Sequence, residues 1–350
     1  MKILERPENR GEDLDKVCKA VFDEVKRDGD EALKKYTWYF DRVKLECFEV
    51  TEEEFQEAEK AVKKELKEAI RVAKGNIEEF HKIQIPEKCE YVNERGFRCW
   101  QEGRAIDRVG LYVPGGSAPL FSTVLMLAVP AKLAGCREVV ICTPPGRDGR
   151  VNPAILWTAR LCGVTRVFKV GGIQAIAALA LGTKSVGRVD KIFGPGNRFV
   201  MAAKQWVGRY GVAIDMPAGP SELMVVADES ARATFVAADL LSQAEHGPDS
   251  QVFLVTCDES LIAEVALRNS KYIVLRSREE CVELVNCYAP EHLMLCVKDY
   301  LDWVPEIRNA GSVFLGHYSP ESAGDYASGT NHTLPTNGYA RAYSGVNMDA

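Results

Sequence analysis

The stretch that decides the fold is residues 109–146, and it reads VGLYVPGGSAPLFSTVLMLAVPAKLAGCREVVICTPPG. Apolar runs at 109–113 and 139–142 have the length of buried strands, and the apolar residues of 120–134 recur at helical spacing. Two buried strands joined by a helix predict a parallel pair, because parallel strands need a long crossover connection. The stretch therefore predicts the strand–helix–strand unit of an α/β fold.

The same alternation extends along most of the chain beyond this stretch. Further strands are predicted at 167–170, 191–193, 223–226, 252–255, 272–275, 293–296 and 313–315. Helical spacing predicts helices in residues 1–85, and residues 86–104 predict a hairpin or an extended connection. We therefore expect an α/β fold with two Rossmann-like parallel-sheet units, helices on both faces, and an N-terminal helical segment. The expected division is 1–104 for the helical segment and connection, 105–216 for the first unit and 217–350 for the second.

Composition and charge indicate a soluble globular protein. Apolar residues make up 46% and charged residues 27%, and the formal net charge is −6 without a long basic stretch, so no nucleic-acid surface is indicated. No apolar run reaches the roughly 20 residues that span a bilayer, and the polar start of the chain does not resemble a signal peptide. The eleven cysteines form no CxxC pair, and several lie in apolar runs, which is typical of reduced, buried thiols. We expect a cytoplasmic protein with neither a nucleic-acid partner nor a membrane partner.

Three glycine-bearing turns follow predicted strands and precede predicted helices, at residues 114–117, 171–174 and 194–197. The carboxyl ends of parallel strands meet at one edge of a sheet, where open α/β folds bind ligands. A helix N-terminus also favours phosphate, although Asn197 is equally the N-cap that a helix prefers. None of the turns is GxGxxG. The residues therefore indicate a ligand cleft with a nucleotide as one occupant, and plain strand-to-helix turns are the alternative.

Gln243 and His246 form a candidate metal pair at the end of a predicted helix. They are three residues apart, so their side chains share a helix face. A glutamine oxygen is a weak ligand for zinc, which prefers histidine, cysteine and carboxylates. The alternative is that His246 stabilises a helix C-terminus as a cation.

Two further polar clusters are candidates for acid–base chemistry. Glu291 and His292 are adjacent just before a predicted buried strand, and imidazole can act as a general base at neutral pH. Adjacent residues of an extended chain face opposite sides, so the alternative is a surface turn with two ordinary polar residues. Asp325 and His332 lie in a glycine-rich loop, where an Asx turn would also explain Asp325. Ser221 lies in a turn without the flanking pattern of a nucleophile elbow, so we do not expect an acylated serine.

Taken in order along the chain, these motifs make the sequence resemble the histidinol dehydrogenase family. The matching strings are LYVPGGSAPLFSTVLMLAVPAKLAG, VGGIQAIAALALGT, VDKIFGPGNRFV, AIDMPAGPSELMVVAD, LLSQAEHGPDSQ, YAPEHL and SAGDYASGTNHTLPT. They cover residues 105–340 approximately, whereas the N-terminal helical part fits the family in kind and carries no diagnostic string.

The resemblance implies a homodimeric enzyme that uses NAD and one zinc ion per site. It implies oxidation of L-histidinol through L-histidinaldehyde to L-histidine, the last steps of histidine biosynthesis. The implied zinc ligands are Gln243, His246 and Asp325. The implied NAD contacts are Tyr112, Gln174 and Asn197. The residues implied to lie near the substrate are Ser221, Gln243, His246, His292, Asp325 and His332. In the implied reaction zinc orients the substrate, His292 takes the hydroxyl proton, and Glu291 activates water for the second oxidation.

Two departures from the family pattern bear on activity and packing. The family's chain continues past the position of Ala350, and the resemblance implies that this tail supplies a glutamate to the substrate and a histidine to the zinc of the partner subunit. Residues 256–272 also form a shorter segment than the family has there. Two alternatives therefore stay open. One is a truncated or inactive relative that binds NAD or a small ligand without turnover, and the other is a related dehydrogenase for another amino alcohol.

Overall fold

The computed structural model describes residues 2–6, 14–115, 119–245, 250–265 and 270–350. The α-helices in these residues are α1 Leu14–Asp28, α2 Asp30–Asp41, α3 Glu52–Ala61, α4 Lys64–Lys82, α5 Phe121–Ala134, α6 Pro153–Leu161, α7 Gly172–Leu181, α8 Arg198–Trp206, α9 Ala233–Ala244, α10 Glu259–Val265, α11 Arg278–Tyr288, α12 Tyr300–Trp303 and α13 Ala323–Tyr326. The strands are β1 Cys89–Val92, β2 Arg98–Gln101, β3 Arg108–Tyr112, β4 Glu138–Thr143, β5 Arg166–Lys169, β6 Lys191–Phe193, β7 Ala213–Ile214, β8 Glu222–Ala227, β9 Gln251–Thr256, β10 Lys271–Val274, β11 His292–Cys296 and β12 Ser312–Leu315. Short 3₁₀ turns lie at Lys2–Leu4, Val207–Tyr210, Val304–Glu306 and Tyr339–Arg341.

The four N-terminal helices form an outer layer over the helices of the first sheet. Each has an apolar face at helical spacing, as in α1, where the buried residues include Phe22. α1 packs against α7 and α8, α3 packs against α6, and α4 packs against α5. α3 begins at a capping box, in which the side chains of Thr51 and Glu54 each accept from the other's backbone N–H. The helices predicted for this part of the chain are therefore present, and they bury their apolar faces against the first sheet's own helices.

The first sheet has five parallel strands in the order β5-β4-β3-β6-β7. The chain runs outwards from β3 through β4 to β5 and then returns to β6 on the other side of β3. α5 is apolar on nearly all sides because it lies between this sheet and α4. The strand order reverses between β3 and β6, and such a reversal opens a ligand crevice at the carboxyl ends of these two strands.

The second sheet repeats this plan with five parallel strands in the order β10-β9-β8-β11-β12. Its central strands β8, β9 and β11 are buried at every position. α9 and α10 cover one face of the sheet, and α11 covers the other. The two sheets confirm the predicted fold class of two parallel-sheet units with flanking helices.

Two other segments complete the fold. β1 and β2 form an antiparallel hairpin whose residues are exposed on both faces. Residues 317–350 contain little regular structure, yet some of them are buried, including 331 and 333–336. Within this segment, the Asn331 amide donates to the Met126 carbonyl oxygen at 2.7 Å, and Val346 packs into the core beside α5. The segment therefore links the end of the second sheet to the first. None of the described helices is long and apolar enough to cross a membrane.

Candidate active site

A cleft of about 1210 Å³ opens at the carboxyl edge of the first sheet. Its walls include the segments that follow β3, β4, β5 and β6, because the carboxyl ends of parallel strands share one edge. These segments approach each other closely: a Cβ at Gly171 would lie 2.5 Å from Pro144 Cβ, and a Cβ at Gly115 would lie 2.7 Å from Pro144 Cγ. The residues predicted as NAD contacts all line this cleft, namely Tyr112, Gln174 and Asn197.

Tyr112 ends β3 and directs its hydroxyl at the start of α7. The hydroxyl oxygen accepts a hydrogen bond from the Gly172 backbone N–H at 3.0 Å. Burial raises the pKa of Tyr112 to about 12, so the phenol keeps its proton at neutral pH. Its O–H is therefore a donor that a ligand in the cleft can accept from.

Gln174 lies in the first turn of α7 and is completely buried. Among the described residues, neither its side-chain oxygen nor its side-chain nitrogen has a hydrogen-bond partner. A buried polar group without a partner costs about 1–3 kcal/mol, so each such group needs an explanation. A ligand that both donates and accepts at this point of the cleft would supply the two partners.

A buried ion pair fixes the turn that carries Asn197. Lys204 Nζ lies 2.5 Å from Asp215 Oδ1, and both side chains are almost completely buried. The same two side chains hold Gly194. Lys204 Nζ donates to the Gly194 carbonyl oxygen at 2.6 Å, and the Gly194 N–H donates to Asp215 Oδ2 at 2.7 Å. Gly194 has a φ of 122°, and a Cβ there would lie 2.2 Å from the Tyr112 carbonyl oxygen. Only glycine fits this close approach.

Asn197 has the capping role that was the alternative to ligand binding. Its side-chain oxygen accepts from the backbone N–H groups of Phe199 and Val200 at the start of α8, both at 3.1 Å. The oxygen is therefore engaged within the protein. The side chain is exposed in the cleft wall, so its amide nitrogen can still donate to a ligand.

Glu291 and His292 lie at the amino-terminal edge of the second sheet, where β11 begins beside β8. The backbone of Glu222 contacts both side chains: its N–H donates to Glu291 Oε2 at 2.9 Å, and its carbonyl oxygen lies 3.1 Å from His292 Nδ1. A carbonyl oxygen can only accept, so Nδ1 carries the hydrogen and Nε2 is the basic nitrogen of the neutral imidazole. This Nε2 lies 3.7 Å from Glu321 Oε1.

The His292 ring adjoins a carboxylate cluster, which consists of Glu291, Glu321, Asp325 and Asp239. Glu321 is buried, and among the described residues its Oε2 has no hydrogen-bond partner. Burial, together with the charges of Asp325 and Asp239, raises the pKa of Glu321 to about 7. Burial and the neighbouring carboxylates also raise the pKa of Glu291 well above its usual value. Carboxylates held so close together favour a bound proton or a bound cation.

The predicted zinc ligands are placed around this cluster as far as the structure describes them. Gln243 is buried on α9, one turn after Asp239 of the cluster. Asp325 lies on α13. His246 lies outside the described residues. Within the described part of the chain, no three His, Cys, Asp or Glu side chains form a metal-binding group.

The remaining predicted substrate residues flank the same region in the chain. Ser221 directly precedes β8 and is thus the neighbour of Glu222. His332 directly follows Asn331, whose amide nitrogen lies 3.3 Å from the buried His81 Nε2.

The carboxyl edge of the first sheet approaches the segment that carries Asp325 of the carboxylate cluster. Phe121 begins α5 at the carboxyl edge of the first sheet, and its ring lies 5.8 Å from that of Tyr326, the neighbour of Asp325. The segment between β7 and β8 is tied to the same region, because the Gly219 N–H donates to Thr336 Oγ1 at 2.6 Å. The carboxyl edge of the first sheet therefore lies beside the amino edge of the second.

The sequence reasoning missed three residues of this site, Asp239, Glu321 and Glu222. Glu321 directly precedes the glycine-rich string SAGDYASGTNHTLPT, and that position was the signal that could have identified it. Glu222 acts on Glu291 and His292 through its backbone, so no side-chain pattern marks this role.

Two parallel sheets with reversed strand order, a cleft of dinucleotide size and a buried histidine among carboxylates are typical of an α/β dehydrogenase. Comparison with known proteins makes this class specific. A family model described as histidinol dehydrogenase matches residues 4–268 and 261–350. A curated histidinol dehydrogenase of Bacteroides fragilis is 56% identical over 368 residues, which cover 100% of this chain and 86% of that protein. The one of Bacteroides thetaiotaomicron is 54% identical with the same coverage.

Solved structures agree with the sequence comparison. The crystal structure of histidinol dehydrogenase from Elizabethkingia anophelis superposes with a TM-score of 0.95 at 50% identity, covering 99% of this chain and 85% of that one. An acetylating aldehyde dehydrogenase from Geobacillus thermoglucosidasius has a TM-score of 0.52 at 12% identity, which shows a likeness of fold alone. The chain belongs to the histidinol dehydrogenase family, as its motifs predicted, and it is an oxidoreductase of histidine biosynthesis.

Proposed function

We propose that this chain catalyses the NAD-dependent, zinc-requiring oxidation of L-histidinol through L-histidinaldehyde to L-histidine. The observation that carries the proposal is the orientation of His292, whose Nδ1 is held by the Glu222 carbonyl oxygen at 3.1 Å. This contact leaves Nε2 as the basic atom beside the carboxylate cluster. His292 Nε2 is therefore the atom that takes the hydroxyl proton of the substrate.

The neighbouring carboxylates complete the acid–base chemistry. Glu321 Oε1 lies 3.7 Å from His292 Nε2, so its negative charge stabilises the imidazolium that forms. The raised pKa of Glu291 makes this carboxylate a stronger base than an ordinary one, which suits the removal of a proton from water in the second oxidation. The Glu222 N–H holds Glu291 Oε2 in place at 2.9 Å.

The charge of the carboxylate cluster favours a bound cation, although its described side chains do not form a metal-binding group by themselves. Glu321 has a buried oxygen without a partner among the described residues, and the charges acting on it, those of Asp325 and Asp239, are both negative. Gln243, His246 and Asp325 would hold the metal. When bound, zinc would grip and orient the substrate and offset the negative charge of the cluster.

The cleft of the first sheet fits NAD. Its volume of about 1210 Å³ exceeds the size of ordinary small-molecule pockets. Three side chains would contact the dinucleotide. These are Tyr112 through its hydroxyl, Gln174 through its unpartnered side-chain amide, and Asn197 through its side-chain amide nitrogen. When bound, NAD would accept the hydride of each oxidation step.

We also propose a cytoplasmic homodimer. The β1–β2 hairpin and its flanks expose large apolar side chains, with Tyr91 66%, Phe97 65% and Trp100 58% accessible. Exposed apolar groups at this density are typical of an interface. None of the eleven cysteines is in a disulfide, which agrees with a reducing compartment. Light scattering coupled to size exclusion is expected to give twice the chain mass, and replacement of Trp100 by glutamate is expected to shift the protein towards monomer.

The test of the reaction is NADH formation from L-histidinol, measured by absorbance with zinc supplied and again with chelator. We expect about two NADH per histidinol, since each of the two oxidation steps reduces one NAD, and loss of the signal with chelator. His292→Asn is expected to reduce turnover at least about 100-fold, whereas His317→Asn, a matched change at a histidine bonded to Ser230, is expected to leave it unchanged. Folded protein that binds NAD but forms no NADH would refute the proposed turnover.

A further inference from the structure

Asp41 lies in the wall of the dinucleotide cleft, in surroundings that destabilise its negative charge. It is the last residue of α2, where the helix macrodipole disfavours an anion, and the last turn of α2 contains no basic residue to offset the charge. Its Oδ2 is buried and has no hydrogen-bond partner among the described residues. Burial raises the pKa of Asp41 to about 6. The carboxylate is therefore ionised at neutral pH in a place that does not stabilise it.

The other acidic residues in the described cleft wall all have partners. Glu54 is 3.1 Å from Lys169, Glu57 pairs with Arg150, and Asp148 accepts from the Arg150 backbone N–H at 3.0 Å. Together with Asp41, these three residues are the acidic residues of the described cleft wall. Asp41 thus differs from these three acidic residues, because its buried Oδ2 has no hydrogen-bond donor among the described residues. A bound ligand would supply that donor.

An ionised carboxylate can only accept hydrogen bonds, and it repels phosphate. The ligand group that Asp41 binds must therefore be a hydrogen-bond donor that carries no negative charge. In a dinucleotide, the pair of hydroxyls on a ribose has this chemistry, and a carboxylate that accepts from them is the usual way in which dinucleotide-binding folds recognise a ribose.

The position of Asp41 selects the adenosine ribose. Every residue that lines the cleft in the described chain lies between positions 17 and 199, and α2 packs against α1 and α7 on the first sheet. His292 begins a strand of the other sheet, and the carboxylate cluster lies beside it. The nicotinamide must reach them, so the opposite end of the dinucleotide lies in this cleft, whose described lining comes from the N-terminal helices and the first sheet unit.

We propose that Asp41 accepts hydrogen bonds from the hydroxyls of the adenosine ribose and thereby excludes NADP, whose 2′-phosphate would be brought against this carboxylate. This inference rests on the proposed use of NAD. It adds a specificity-determining residue that the matched motifs do not contain.

The test compares NAD and NADP binding to the zinc-loaded full chain by calorimetry. The variants are Asp41→Asn and, as a matched control, Asp28→Asn. Asp28 is likewise the last residue of a helix, but it is paired to Arg27 and does not line the cleft. We expect the unaltered protein to prefer NAD at least about 100-fold, and Asp41→Asn to weaken NAD binding about 10-fold, because a hydrogen bond to a charged acceptor is lost.

The ratio of the affinity for NAD to the affinity for NADP tests the proposal. This ratio should fall at least about 10-fold in Asp41→Asn, because removal of the charge relieves repulsion of the 2′-phosphate. It should be unaltered in Asp28→Asn. Far-UV circular dichroism of each variant confirms that it is folded. A ratio that stays the same in folded Asp41→Asn, while NAD still binds, refutes the role of Asp41 alone. Absence of NAD binding in the unaltered protein refutes the proposed cofactor and this inference with it.

Discussion

Replacement of Glu321 by glutamine should make the metal-free protein more stable at alkaline pH, even though it alters the candidate active site. Glutamine keeps the shape of the side chain and removes the charge. In the structure this charge is buried, lies near Asp325 and Asp239, and has one oxygen without a partner among the described residues. Removing it therefore relieves both the cost of burial and the repulsion by two carboxylates.

The magnitude follows from the pKa of Glu321, which burial and its neighbours raise from 4.5 to about 7. A carboxyl with a raised pKa in the folded state contributes its full stability below the unfolded pKa, and this contribution is lost as pH rises through the folded pKa. Each pKa unit corresponds to roughly 1.4 kcal/mol, so the free energy of unfolding should fall by about 3 kcal/mol through this group. The loss should occur between about pH 4.5 and pH 7.

The assay is urea denaturation of chelator-treated protein, followed by intrinsic fluorescence at about pH 5 and about pH 8. We expect the unaltered protein to lose about 3 kcal/mol more between the two pH values than Glu321→Gln does. Glu229→Gln, at an exposed glutamate, serves as the control and should behave as the unaltered protein does. The same pH dependence in the unaltered protein and in Glu321→Gln would show that Glu321 is not buried as an unpaired acid.

Two further predictions concern the turn that carries Asn197. Lys204→Met leaves Asp215 as a buried charge without its partner, so it should reduce the free energy of unfolding by about 3–5 kcal/mol, measured by chemical denaturation. Gly194→Ala places a methyl group 2.2 Å from a backbone oxygen at a φ of 122°, so it should cost about 2 kcal/mol or more. The same substitution should weaken NAD binding measured by calorimetry, whereas Gly208→Ala, which meets nothing within 4 Å, should change neither quantity.

The sequence predicts the sheets well because their central strands are buried on both faces. Such strands are continuous apolar runs, as at 139–142 and 252–255, and a run of this kind is visible without knowledge of its neighbours. The two-residue strand Ala213–Ile214 was not predicted, because it is too short to show a period and exists only through its pairing with β6.

The site was predicted less completely, because its electrostatics arise from contacts between distant parts of the chain. Glu321 lies 82 positions after Asp239, yet its backbone N–H donates to that carboxylate at 3.1 Å. No spacing in the sequence reveals such a contact. Asp41 was missed for a similar reason, since an acidic residue at a helix end is conspicuous only once its burial and its place in the cleft are known.

The geometry of the adjacent pair Glu291 and His292 shows what the strand pairing adds to the motif. On an isolated extended chain, adjacent side chains face opposite sides, so the motif alone does not bring them together. In the structure, β11 begins beside β8 with His292 paired to Leu223, and this register brings the Glu222 backbone into contact with both side chains. The backbone of a single residue then orients both side chains, because the Glu222 N–H binds the Glu291 carboxylate and the Glu222 carbonyl oxygen fixes the tautomer of the His292 imidazole.

The side chain of Glu222 is itself held from two ends of the chain. It accepts two hydrogen bonds from Arg6, at 2.5 and 2.9 Å, and a third from the Asn337 backbone N–H at 3.0 Å. The N-terminal segment and the long C-terminal segment therefore meet at the residue that orients the acid–base pair. This arrangement explains why part of the segment 317–350, including residues 331 and 333–336, is buried although the segment forms little regular structure: it holds the amino edge of the second sheet against the first. The chemistry at His292 thus depends on the packing of the whole chain, of which the motif supplies only the two reacting side chains.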